Sequence, residues 1–156
     1  MSGKFYGAGE FNPWLISTQM VVMQSLFYFC FIVLTACSDW IIGAPQSLSQ
    51  FFRFEDYTWS SSPGCALALS LLLTSLVMAV ALRYVVERAK KCWDFVATYH
   101  LLHLAITWFI NGFPRALHWW ILNVVAAVVA LVLGEYICIQ GELKEIKINR
   151  LPGIAV

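Results

Sequence analysis

Six side chains in this sequence place ionisable or strongly polar chemistry in surroundings that are otherwise apolar: Gln19, Gln24, Arg83, His100, His103 and Glu135. His100 and His103 stand three residues apart, so on a helix they share one face, with Thr107 four residues further along it. A His-x-x-His pair can be half of a metal site, part of a proton-linked path through a membrane, or a polar binding face. The chain has only three histidines, and His118 belongs to a different segment. No serine, cysteine or aspartate arrangement suggests a hydrolytic nucleophile. Binding is therefore expected rather than catalysis, with no metal and no cofactor.

The elements that must position these groups follow from charge and hydropathy. Of 156 residues, 60% are hydrophobic and 12% charged, and the mean hydropathy is +0.73. Four stretches carry no charge: 11–38, 57–82, 95–114 and 116–134. A bilayer core needs about 20 apolar residues per helix, and so small a soluble domain could not cover this much apolar surface. The expected fold is an all-α integral membrane protein, a four-transmembrane-helix bundle with helices over about 13–36, 65–86, 93–110 and 116–139. Residues 1–146 form that domain and 147–156 a cytosolic tail. The first stretch is too long for a signal-peptide core and has Lys4 as its only preceding basic residue, so it is expected to remain as a span.

The net charge of +1 gives no hint of nucleic-acid binding, but its distribution is informative. With four spans, Lys4, Arg88, Lys90, Lys91, Lys144, Lys147 and Arg150 fall on one side, and Arg53 and Arg115 on the other. The positive-inside rule then makes both termini cytosolic. Arg88, Lys90, Lys91 and Lys144 form a basic cytosolic surface, suited to anionic headgroups or simply to setting topology. Trp14, Tyr84, Trp93 and Tyr136 mark the cytosolic interface, and Trp40, Trp59, Trp119 and Trp120 the other.

At 1.5 Å rise per residue, the six polar side chains are predicted to crowd into the cytosolic half of the membrane. The far half holds little beyond Ser70, Thr107, His118 and Asn123. A cytosol-facing polar pocket follows, with Glu135 paired to His100 or Arg83; the bland alternative is a polar knot that only keeps the helices in register. Arg83 and Glu87, one turn apart, can also pair near the interface. Ala126, Ala130 and Gly134 form a small-residue stripe for close packing within or between chains, and Ser70, Thr74, Leu71, Ser75 and Ala79 a similar one. In loop 38–64, Leu48, Phe51, Phe52, Phe54 and Tyr57 are expected on the membrane surface. Cys37 and Cys65 flank that loop and are a possible disulfide; Cys92 and Cys138, near the other interface, are candidates for palmitoylation or plain packing.

Several motifs in order resemble the Sys-one family of Golgi integral membrane proteins. They are Asn-Pro-Trp-Leu-Ile-Ser-Thr-Gln (12–19), Cys-Trp-Asp-Phe (92–95), His-Leu-Leu-His-Leu (100–104), Phe-Pro-Arg-Ala-Leu-His-Trp-Trp (113–120), Gly-Glu-Tyr-Ile-Cys (134–138) and Glu-Leu-Lys-Glu-Ile (142–146). Loop 38–64 lies outside the resemblance. The resemblance implies a four-span trans-Golgi protein that acts as receptor for an N-terminally acetylated Arf-related small GTPase, upstream of vesicle tethering. The residues by themselves leave a second class open, a small proton-linked transporter or channel using the His/Glu/Arg set.

Overall fold

The computed structural model describes residues 13–149, with side chains through Lys144. It is all-helical, and no strand forms among the described residues. The order is α1 (Pro13–Ile42), two short 3-10 turns (Leu48–Phe51 and Phe54–Asp56), α2 (Ser62–Val85), a third 3-10 turn (Ala89–Lys91), α3 (Cys92–Asn111) and α4 (Leu117–Asn149). By length and composition, α1, α2 and Leu117–Lys144 of α4 suit a membrane crossing, with mean hydropathies of 2.1, 2.5 and 2.3. The 20 residues of α3 are diluted by Asp94, His100 and His103 and fall outside that set.

Local chemistry sets the helix ends. α1 begins on a proline, whose missing N–H costs nothing in a first turn. Asn12, which precedes it, lies outside the described residues. Ser61 caps α2 by accepting from the Gly64 N–H at 3.2 Å, with Pro63 in the first turn. α2 ends at Val85, and Glu87, with a left-handed φ of 61°, lies beyond the helical turn that carries Arg83. Gly112, at φ 80°, ends α3 where a residue with a side chain would be strained.

The four long helices form a ring in the order α1, α2, α4, α3. α2 and α4 run parallel, since Gly134 packs on Leu82 and Glu142 reaches Ala89. The expected small-residue stripe lies at this seam: Ala126 and Ala130 are fully buried, and a Cβ on Gly134 would run into Leu82. On α2, Ser70, Leu71, Thr74, Ser75 and Ala79 are buried as anticipated. The stripe thus serves packing within the chain.

Two helices outrun the predicted boundaries. α1 continues past 36 to Ile42, and α4 past 139 to Asn149, so residues 147–149 extend the helix; residues 150–156 lie outside the described part. The loop also differs from a segment lying on a membrane surface. Leu48 is exposed, but Phe51 and Tyr57 are buried, and Phe52 and Phe54 are half-buried against the core. The Phe51 ring meets Phe31 at 5.1 Å and Phe52 meets Tyr28 at 6.0 Å, so the loop plugs the bundle. The Tyr57 hydroxyl, whose pKa burial pushes upward, donates to the Phe51 carbonyl at 3.4 Å. Trp119, placed by its sequence in the interfacial aromatic belt, is instead 1% exposed, and Trp120 is half-buried with its indole N–H on the Pro114 carbonyl at 2.9 Å.

Candidate functional site

The polar side chains sort into two layers. The first closes the end of the bundle that carries the α2–α3 turn. The last carbonyls of a helix lack intrahelical donors, and Gln19 of α1 supplies one, donating to the Val85 carbonyl at 2.7 Å. From α4, Glu142 accepts the Ala89 N–H at 3.0 Å and pins the basic turn. Arg83 lies across Gly141, where any Cβ would strike its guanidinium group. Cys92 and Cys138 are wholly buried with their sulfurs 3.7 Å apart, and Glu135, Glu142 and Arg83 act electrostatically on this pair. Arg88, Lys90 and Lys144 are exposed around this end, with Lys91 half-buried.

The second layer lies deeper. Tyr28 of α1 meets His103 Nδ1 at 3.2 Å. Five rings surround that imidazole: Phe27, Tyr28, Phe31 and Phe52 at centroid distances of 5.7 to 6.4 Å, and Trp119, stacked at 6.0 Å. Phe27 also contacts His100 at 5.8 Å. Gln24 faces Tyr28, and Asn123 faces His100 from α4, but the Asn123 amide donates to the Trp119 carbonyl at 2.9 Å instead. Both amide atoms of Gln24, both ring nitrogens of His100, His103 Nε2 and the Tyr99 hydroxyl are buried without a hydrogen-bond partner. Leaving such groups unpaired opposes folding, by about 0.6 kcal/mol each on the scale of interhelical hydrogen bonds in membranes, so this layer is held by packing at the expense of polar satisfaction.

Of the six predicted side chains, Gln24, His100 and His103 come together, whereas Gln19, Arg83 and Glu135 belong to the first layer. The structure therefore divides the single expected pocket into two. Glu135 stands near the Cys92–Cys138 pair and not beside His100, whose polar neighbours are His103 and Asn123. His118 is exposed, and no three His, Cys, Asp or Glu side chains converge as metal ligands among the described residues. Cys37 and Cys65 are both exposed free thiols, Cys65 directing its S–H to the Trp59 carbonyl at 3.4 Å. Full burial withdraws Cys92 and Cys138 from the acylation considered for them.

The far half of the bundle is also more polar than expected. Ser38 and Ser70 pair at 3.1 Å, and Asp39, buried to 1% exposure, accepts from Gln50 at 2.8 Å. Sequence reasoning missed Asp39, yet a signal was present: Met23, Phe27, Phe31, Thr35 and Asp39 follow one another at strict four-residue spacing along the buried face of α1. Glu142 likewise continues the Ala126, Ala130, Gly134, Cys138 series by four.

A helical chain with three spans of membrane-crossing length and buried polar layers is of the polytopic membrane class. Residues 6–148 match the SYS1 family, described as integral membrane proteins linking to the trans Golgi network. The chain is 38% identical over 138 residues to a protein SYS1 homolog of Nematostella vectensis, covering 88% of each chain. It is 32% identical to a SYS1 homolog of Dictyostelium discoideum and 26% identical to the SYS1 protein of Saccharomyces cerevisiae, over 94% and 86% of its own length. It spans 63% and 66% of those two longer proteins. No solved structure matches. The chain belongs to the SYS1 family.

Proposed function

We propose that this chain is a four-span Golgi membrane receptor with both termini cytosolic. It recruits an N-terminally acetylated Arf-related small GTPase to the trans-Golgi and thereby supports vesicle tethering and protein trafficking. α3 supplies the fourth span: its 20 residues reach about 30 Å, the thickness of the hydrocarbon core. The basic residues at the α2–α3 end orient that end to the cytosol.

One observation carries the receptor reading, the Glu142–Ala89 bond. α4 is about 50 Å long and outreaches the hydrocarbon core by about 20 Å. Glu142 ties the basic turn to that overhang, so Arg88, Lys90 and Lys144 are presented on a fixed backbone rather than a loose loop. A partner's amphipathic helix without a fatty chain holds a membrane only marginally and needs such a second, protein-borne contact. Acetylation removes the partner's terminal ammonium, and with it a charge that this basic surface would repel. The enclosed His100–His103 layer serves to hold the platform's helices, not to admit the partner.

Co-flotation tests this reading, with the receptor in neutral-lipid vesicles and the GTP-loaded GTPase in acetylated and unacetylated forms. Joint reversal of Arg88→Glu, Lys90→Glu and Lys144→Glu is expected to reduce recruitment of the acetylated form by about tenfold or more, the loss of roughly 1.4 kcal/mol. Unchanged recruitment in that variant, together with loss in a folded His100→Ala variant, would move the docking site into the bundle.

A further inference from the structure

The opposite end of the molecule holds a cavity of about 310 Å³ between α1 and the plugging loop. Its membrane-inward wall is apolar, with Ile32 and Ala36, and its loop-end rim carries Gln46, Ser47, Leu48 and Gln50 above the buried Asp39 and Phe51. Asp39 stands three residues before the end of α1, next to the 80% exposed Trp40, at the level where aromatic side chains meet headgroups. Ile32 lies about 10 Å deeper along the same helix. The cavity therefore changes from polar to apolar along the membrane normal, as a single lipid does.

The rim selects charge. Asp39 is 1% exposed, and its side chain is bonded to the neutral amide of Gln50. Arg53, the cation of this loop, is committed to Glu55 and Asp56 at 3.9 and 3.7 Å. A carboxylate taken out of water without a cation is costly by several kcal/mol. The Gln46 and Gln50 amide nitrogens are drawn onto protein acceptors, the Ala36 carbonyl and Asp39 itself. The two amide oxygens and the carboxylate are acceptors left for a ligand, beside one further N–H on each amide. Three acceptors around a full negative charge match the three N–H donors of a primary ammonium, and the same charge disfavours a phosphate.

We propose that the Asp39 cavity binds a phospholipid with a primary-ammonium headgroup, such as phosphatidylethanolamine, from the leaflet at the loop end. The ammonium enters the rim beside Asp39, the phosphate stays outside, and part of one acyl chain lies along Ile32 and Ala36.

Native mass spectrometry of the detergent-purified full chain tests this with phosphatidylethanolamine, its mono- and dimethylated forms, and phosphatidylcholine. Affinity is expected to fall stepwise as N–H donors are replaced, by about tenfold or more across the series. Asp39→Asn is expected to abolish that preference, and Gln46→Leu to weaken it. Ile32→Trp, which fills the apolar side of the cavity and leaves the carboxylate in place, is expected to weaken every lipid in the series. Equal binding of phosphatidylethanolamine and phosphatidylcholine overturns the proposal, as does a preference that survives Asp39→Asn. Glycerophosphoethanolamine, which has no chains, competing as well as the intact lipid would also overturn it. Melting temperatures close to the parent's establish that each variant is folded.

Discussion

The two ends of the bundle are closed by different physics. At the α2–α3 end, side chains from α1 and α4 reach backbone groups of α2 and the turn, through Gln19 to Val85 and Glu142 to Ala89. These bonds are directional and fix where the basic turn sits. At the loop end the closure is aromatic: Phe51 on Phe31, Phe52 on Tyr28, and Trp119 edge-on to Trp120 at 5.2 Å and stacked on His103. Ring packing tolerates small shifts and excludes water but fixes no backbone group. The loop end also has side-chain bonds to backbone, Tyr57 to Phe51 and Gln46 to Ala36, so the difference lies in the ring seal added there. The contrast separates the α2–α3 end from the loop end.

The strongest way to break this contrast is at Trp119. It is among the largest fully buried side chains and contacts both His103 and Trp120. Trp119→Ala is expected to destabilise the bundle by about 3–5 kcal/mol, the usual cost of deleting a buried large ring. Unfolding in detergent measures the loss, and modification of His103 by diethyl pyrocarbonate should accelerate as the seal opens. A loss below about 1 kcal/mol would mean that ring packing is not what closes this end.

Much of the fold was legible because it rests on periodicity and charge. The long apolar runs, the Ala126–Ala130–Gly134 stripe and the α2 small-residue face all pack as their spacing implies. The site was legible only in part. Depth along a helix says how far Glu135 and His100 lie below an interface, but not which neighbour each faces. That depends on helix rotation, and rotation is set by the close α2–α4 approach at Gly134 and Gly141. Asp39 escaped notice because a charge was read as the end of a span, although the buried four-residue series runs straight through it. Trp119 was misplaced for the converse reason. A tryptophan beside a turn is commonly interfacial, but here Trp119 stacks on His103, which Phe52 of the loop also meets.

At the other end the test is Glu142. Glu142→Ala removes the acceptor for the Ala89 N–H and leaves that half-buried donor unpaired. The expected cost is about 1.5–3 kcal/mol, as for hydrogen bonds to charged groups. The effect should be local: hydrogen exchange at the amides of 88–91 accelerates while the α2 interior stays protected. Glu142→Gln keeps an acceptor oxygen and should restore most of that protection. Equal acceleration in both variants would show that the carboxylate's charge, and not the bond, holds the turn.

The smallest expected effect lies where the two kinds of closure meet. Tyr28 packs on Phe52 as part of the aromatic seal and bonds His103 at 3.2 Å as part of the polar layer. Tyr28→Phe keeps the ring and deletes the hydroxyl. Hydrogen bonds between helices in membranes average about 0.6 kcal/mol, because the unfolded chain also finds partners there. Deleting this one should therefore cost about 0.6 kcal/mol, a small fraction of the Trp119 effect. It leaves His103 Nδ1 unpaired as Nε2 already is, among rings that remain in place. A loss of about 3 kcal/mol, the size expected for a ring deletion, would reverse the assignment and make the buried polar layer the principal support of the loop end.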